Sequence, residues 1–161
     1  MKSALIIFVR NPVMGKVKTR IAAAMGDENA LTVYKHLLQH TKDITEGLPV
    51  TRFVFYADGV TANDLWNGYE KCLQSGSDCF ELDEKMISDV FLKLNEYEIV
   101  IGPAVDGGYY LLGMQSPVKN LFENITWSID SVFDETVKQI KQKHLSFGLL
   151  PVLNDVDKKR I

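Results

Sequence analysis

Positive charge gathers near the N-terminus with no acid to offset it. Residues 1 to 26 contain Lys2, Arg10, Lys16, Lys18 and Arg20 and neither Asp nor Glu. The other residues carry the remaining 13 Lys and Arg against all 21 acids, so the net charge of −3 conceals a basic front on an acidic chain. A local cluster of this kind suits a small anion. A nucleic acid requires a broad basic surface, and none is expected here. Within the cluster, Arg10-Asn-Pro-Val-Met-Gly-Lys-Val-Lys-Thr-Arg20 sets Gly15 beside three further cations. Glycine lets backbone N–H groups approach phosphate oxygens closely, and flanking Lys and Arg neutralise their charge. The segment is not a Walker loop, because no glycine stands five residues before Gly15 and Thr19 does not directly follow Lys16. The plain alternative is a solvated basic loop.

Three acidic segments are the next candidates. Ser77-Asp78-Cys79 offers a carboxylate that, at a strand end, can hold a divalent cation bridging two phosphates. An aspartate there is equally a turn or cap residue. Gly102-Pro-Ala-Val-Asp-Gly-Gly-Tyr-Tyr-Leu-Leu-Gly113 contains Asp106-Gly107-Gly108, a strong hairpin signal. The hairpin accounts for the glycines but not for Tyr109 and Tyr110 behind a carboxylate, and Asp106 can accept hydrogen bonds from sugar or ribose hydroxyls. Asp155-Val156-Asp157 places two carboxylates in i, i+2 register, which point the same way from an extended chain and suit a cation. His36 and His40 share a helical spacing without an intervening glutamate, and they flank an apolar stripe, so a zinc pair is not expected. No Ser-His-Asp or Cys-His arrangement is legible.

The elements that must position these residues follow from periodicity. Residues 3 to 9 are a continuous apolar run, the pattern of a strand buried on both faces, and Arg10-Asn11-Pro12 ends it. Gly26-Asp27 breaks the chain and supplies a cap, after which Ala30, Val33, Tyr34, Leu37, Leu38, Thr41 and Ile44 recur on one helical face. Gly47 and Pro49 stop that helix, and a second strand follows at about 50 to 57. Strand, helix, strand is a βαβ unit, which implies a parallel sheet. A helix capped by Asp83 is expected over 84 to 95, strands over 98 to 102 and 109 to 114, a helix over 130 to 144 and a last strand over 145 to 153. The 161 residues show no repeat or linker and read as a single α/β domain. No stretch approaches the roughly 20 apolar residues of a membrane-spanning helix. MKSALIIFVRNP lacks a cleavage site, and Cys72 and Cys79 match no metal or redox spacing, so a cytoplasmic protein is expected.

Taken together and in order, IFVRNPVMGKVKTRIA, SDC, IGPAVDGGYYLLGM, LFENITWS and LPVLNDVD resemble a bacterial family of glycosyltransferase-like proteins. That family is of the type associated with radical-SAM and selenium-domain genes and belongs to the nucleotide-diphospho-sugar transferase superfamily of GT-A fold. The resemblance spans about residues 4 to 65 and 77 to 157. It implies a three-layer α/β/α sandwich with a mostly parallel sheet. It places Gly15, Lys16, Lys18 and Arg20 on the loop that wraps the donor's phosphates, with Arg10 and Thr19 beside them as substrate-binding residues. It sets Asp106, with Gly107 and Gly108, in the turn facing the sugar or acceptor, Asp106 being the catalytic candidate. Asp78 falls on the metal aspartate, and Asp155 and Asp157 resemble an end motif that helps to hold a second metal, with Mg²⁺ or Mn²⁺ as the expected ion.

One departure stands out. Family members carry, between the equivalents of Gly76 and Ser77, a glycine-rich acidic motif, a helix and the central strand that leads into the metal aspartate. Here EKCLQSG runs straight into Ser77, and it is a poor replacement for an apolar strand. A stretch absent from this chain is therefore expected, and an intact mass equal to 18.2 kDa refutes that expectation. The resulting expectation is a metal-dependent transferase using a nucleotide-activated sugar and an unidentified acceptor. A nucleotidyltransferase, acting on a nucleoside triphosphate and releasing pyrophosphate, and a non-catalytic nucleotide-binding remnant are the alternatives.

Overall fold

The apolar N-terminal run forms strand β1 (Ala4–Val9), the first element of a computed structural model of the chain. Described are residues 3–60, 65–66, 70–72, 79–123, 125–127, 129–154 and 156. Packing divides the chain into two compact units, Met1–Phe80 with Val156–Ile161, and Glu81–Asp155.

In the first unit, β1 is followed by helix α1 (Thr19–Met25), helix α2 (Asp27–Glu46), strand β2 (Thr51–Tyr56) and strand β3 (Glu70–Cys72). β2 lies between β1 and β3, parallel to both, which is the arrangement a βαβ crossover produces. The core gathers Ile7, Val9, Val17, Tyr34, Leu38, Val54, Tyr56 and Trp66. α2 begins with Asp27 and Glu28 in its first turn, where carboxylates offset the helix dipole. At its other end the guanidinium of Arg52 donates to the carbonyls of Thr45, Glu46 and Leu48, at 3.2, 2.8 and 3.0 Å. One side chain of β2 thus satisfies three carbonyls at and just beyond the end of α2.

Three features of this unit differ from the sequence expectation. Residues 19 to 25 are helical, so the basic loop is shorter than its composition suggested. Glu70–Cys72 pairs with Phe53–Phe55 although its sequence is polar, because a parallel ladder is built from backbone groups and an end strand needs no continuous apolar run. β1 is not buried on both faces: Ile7 and Val9 enter the core, whereas Ile6 and Phe8 are exposed. The Phe8 ring meets Phe55 at a centroid distance of 5.6 Å on that open face.

The second unit contains helix α3 (Glu84–Lys93), strands β4 (Ile99–Pro103) and β5 (Tyr109–Met114), helix α4 (Val132–Gln142) and strand β6 (Phe147–Leu149). β4 is central, antiparallel to β5 and parallel to β6, and every residue of it is buried. Asp83 caps α3 as its position predicted, its carboxylate accepting from the N–H of Met86 at 2.7 Å. Ile99, Ile101, Leu121 and Ile140 form one side of the core, and Val90, Val100 and Leu150 the other. The strand expected over 145 to 153 is shorter, since Pro151 has no N–H to donate, and the chain rejoins the sheet only in a bridge between Ala104 and Leu153. Among the described residues no helix is long and apolar enough to cross a membrane.

Candidate functional site

The basic segment leaves β1 under close control. The Arg10 N–H donates to the Tyr34 hydroxyl at 2.8 Å, and that hydroxyl donates back to the Arg10 carbonyl at 3.1 Å. Asn11 then ties the segment to the end of β2. Its backbone N–H and its amide each donate to Asp58 Oδ1 at 3.0 Å, and the amide also reaches the Gly59 carbonyl at 2.9 Å. A tight turn follows, with the Lys16 N–H bonded to the Val13 carbonyl at 3.1 Å. Gly15 holds φ +73°, a conformation that favours glycine. Val17 is buried in the core and staples the loop from beneath.

The candidate cations do not share one environment. Lys16 and Arg20 are exposed, as are Arg10 and Thr19, and Thr19 and Arg20 form the first turn of α1. Lys18 is only 9% exposed. Its backbone is left-handed, φ 50° and ψ 42°, which is uncommon for a residue with a side chain. This position turns the chain into α1 and directs the long side chain inward. Two acids also join the region in space. Asp58 is held by Asn11, and the Asp27 carboxylate lies 3.8 Å from where a side chain on Gly15 would begin. The charge asymmetry of the linear sequence is therefore reduced in the folded unit; the sequence offered Asp27 only as a helix cap and did not single out Asp58.

In the second unit, Asp106-Gly107-Gly108 forms the turn of the β4–β5 hairpin, as the sequence predicted. The Asp106 Oδ1 accepts from the Gly108 N–H at 3.0 Å, an Asx turn that leaves Oδ2 exposed without a partner among the described residues. Gly107 has φ +90°, and a Cβ placed there would stand 1.9 Å from the Asp130 carbonyl oxygen. Its own carbonyl accepts from the Phe133 N–H at 2.8 Å. The turn is thereby locked against the chain that enters α4. That chain is itself fixed by Glu135, whose carboxylate accepts from the Thr126 N–H at 2.7 Å and from the Ser131 hydroxyl at 2.8 Å. The bond from the Thr126 backbone N–H, then that from the Ser131 hydroxyl, hold Glu135 below the usual glutamate range. Phe122 and Trp127, both exposed, pack 6.2 Å apart on the same stretch.

The two tyrosines after the turn are explained by packing. Burial pushes the Tyr109 hydroxyl above its usual pKa, against a smaller opposing effect of its hydrogen bond with Thr136. Tyr110 lies over Gly102, where a Cβ would come within 2.4 Å of its ring, and its hydroxyl donates to the Pro151 carbonyl at 2.9 Å. Leu153 and Asn154, beyond β6, are also anchored in this unit. Val105 and Leu153 are joined by a backbone bond of 3.0 Å, and Glu81 accepts both the backbone N–H and the side-chain amide of Asn154, at 2.9 and 2.7 Å. Glu81 had no distinguishing sequence signal, since a single acid two residues before a helix cap reads as a turn.

The expected metal aspartates, Asp78, Asp155 and Asp157, lie outside the described residues. Among the described residues no group of three or more His, Cys, Asp or Glu side chains could hold a metal. His40 stands against the Phe80 ring at 5.7 Å, and Cys79 is buried.

The chain has the mixed α/β fold of nucleotide-diphospho-sugar transferase type, with mostly parallel strand pairing. It matches the crystal structure described as a "putative nucleotide-diphospho-sugar transferase" from Desulfovibrio desulfuricans G20 with a TM-score of 0.88 and 27% sequence identity, over 98% of this chain and 84% of that one. No curated protein matches it. The chain belongs to the family described as "Uncharacterized protein conserved in bacteria (DUF2064)", whose model matches residues 23–129.

Proposed function

We propose that this protein is a glycosyltransferase-like enzyme that takes a nucleotide-diphospho-sugar as donor. The observation that carries this reading is the match over 98% of the chain to a protein described as such a transferase, with sequence identity of 27% accompanying the fold. The basic loop after β1 supports it, because ligands of open α/β sheets bind beyond the carboxyl ends of strands. Fold alone does not assign an activity, so the chemistry must come from the residues.

In the proposed reaction an acceptor hydroxyl attacks the anomeric carbon of the donor sugar. The bond from that carbon to the diphosphate breaks, the nucleoside diphosphate leaves with the electron pair, and the proton of the attacking hydroxyl passes to solvent. Exposed Lys16 and Arg20 would stabilise the charge that grows on it, with Gly15 admitting the phosphates close to the backbone. The exposed Oδ2 of Asp106 would accept the hydroxyl of the sugar or the acceptor and orient it. Arg10 and Thr19 border the loop, and Gly107 and Gly108 hold the Asp106 turn in shape. We assign Asp78, Asp155 and Asp157 to Mg²⁺ or Mn²⁺, whose charge would add to that of Lys16 and Arg20.

A thermal-shift panel of nucleoside diphosphates, nucleotide sugars and nucleoside triphosphates, each with and without Mn²⁺, tests this proposal. A ligand at 100 times its dissociation constant stabilises by about 2.7 kcal/mol, which is readily seen. Stabilisation by nucleotide sugars that weakens in Lys16→Ala and in Asp78→Ala supports the reading. A panel without any shift overturns it. Pyrophosphate release from a triphosphate would replace sugar transfer by nucleotidyl transfer.

A further inference from the structure

Two aromatic rings stand in water on the segment that braces the Asp106 turn. Leu121 and Ile125 are buried and pin the chain before α4 to the core. The larger apolar side chains beside them, Phe122 and Trp127, are instead 41% and 54% exposed. Their rings meet at 6.2 Å in a tilted pair. A large apolar patch left exposed on a fixed segment is the mark of a binding surface.

The segment is fixed in two ways. The Glu135 carboxylate takes the Thr126 N–H on one oxygen and the Ser131 hydroxyl on the other, which closes the chain between them into a loop carrying Trp127. That loop is seated on the hairpin, with the Asp130 Cα 2.6 Å from where a Gly107 Cβ would be. Trp127 comes three residues before Asp130, so their Cα atoms are at most about 11 Å apart. The indole and the exposed Oδ2 of Asp106 are therefore within the span of one ligand, and both belong to the second unit.

The charge of the surroundings selects the ligand. Between Pro103 and Ser131 the chain has three acids, Asp106, Glu123 and Asp130, and one cation, Lys119, all of them exposed. A phosphate group is repelled by such a surface. An uncharged sugar suits it, because the apolar C–H face of the ring packs on an indole while its hydroxyls donate to a carboxylate.

We propose that Phe122 and Trp127 form the acceptor platform of the enzyme, and that the acceptor is an uncharged carbohydrate. One of its rings stacks on Trp127 and one of its hydroxyls donates to Asp106 Oδ2. The acceptor role rests on the transferase reading above, whereas the stacking of a sugar needs only this surface.

Tryptophan emission of the full chain at neutral pH tests this. Trp66 is 2% exposed, so acrylamide reaches chiefly Trp127. The probes are methyl glycosides and disaccharides of glucose, galactose, mannose and N-acetylglucosamine, with and without a nucleoside diphosphate. A sugar that stacks should shield Trp127 from acrylamide, and the shielding should saturate. Its calorimetric affinity should fall about tenfold or more in Trp127→Ala and recover in Trp127→Phe. Trp127 is outside the core, so the melting temperature of Trp127→Ala should stay close to that of the parent.

No shielding by any sugar overturns the proposal, as does an affinity unchanged in Trp127→Ala. Tetramethylammonium is the competing probe, and shielding by it alone overturns the proposal in favour of a cation site. In each of these cases stabilisation by nucleotide sugars would leave the transferase reading intact. Sugar shielding in a chain that no nucleotide sugar stabilises supports the carbohydrate surface and refutes its acceptor role together with that reading.

Discussion

Gly107→Ala is a quantitative test of how the Asp106 turn is held. The position has φ +90°, where a residue with a Cβ costs about 1–2 kcal/mol relative to glycine. The new methyl group would also stand 1.9 Å from the Asp130 carbonyl oxygen and 2.5 Å from its carbon. Backbone atoms cannot swing aside as a side-chain tip does, so the turn and the entry to α4 must separate. That movement breaks the 2.8 Å bond from the Phe133 N–H to the Gly107 carbonyl, a further loss of about 0.5–1.5 kcal/mol. The expected total is about 1.5–3.5 kcal/mol. Gly59→Ala is the control, since Gly59 has φ +98° with nothing within 4 Å of the added Cβ. It should cost only the conformational part, about 1–2 kcal/mol. Urea unfolding read by tryptophan emission can follow both, because Trp66 lies in the first unit and Trp127 in the second. Equal losses at the two glycines would refute the reasoning, since the Asp130 contact would then be relieved at no cost.

The other predictions concern the loop and the chain before α4. Glu135 has a lowered pKa in the fold, so its bonds to Thr126 and Ser131 stabilise fully above the ordinary glutamate range and are lost as pH falls through the lowered value. Acrylamide quenching of the exposed Trp127 should increase over that acid window in the parent, and Glu135→Gln should remove the pH dependence. Asn11→Ala deletes the amide bonds to Asp58 and Gly59 and should destabilise by about 1 kcal/mol in urea unfolding, with faster amide exchange in the loop. Lys16→Ala should leave stability within about 0.5 kcal/mol while weakening stabilisation by nucleotide sugars, whereas Lys18→Ala, at a 9% exposed site, should lower stability without any ligand present.

Much of the architecture is legible in the periodic segments. α2, α3 and α4 carry apolar residues at helical spacing, and β4 is a short apolar run bounded by turn signals, so each forms close to where its pattern puts it. The elements that escape are those whose residues advertise something else. α1 was hidden by the cations of the loop before it and by the small size of its alanines, and β3 by its Glu and Lys. The Asp106 turn was readable because Asp-Gly-Gly has a local conformational meaning. The tyrosines behind it were not, since their reasons lie at Thr136 and Pro151, tens of residues away.

By itself the sequence determined the nature of the elements, the hairpin at Asp106 and the presence of a basic loop after the first strand. These depend on local conformational preference and on the spacing of apolar residues, which any short window contains. Only the tertiary structure decided that Lys18 is buried while Lys16 is exposed, that Asp27 and Asp58 join the basic loop, and that Gly107 must lack a side chain. It also decided that β1, apolar throughout, buries one face and leaves the other open. Hydrophobicity states what a residue gains by burial, but what covers it depends on partners that a linear pattern does not locate.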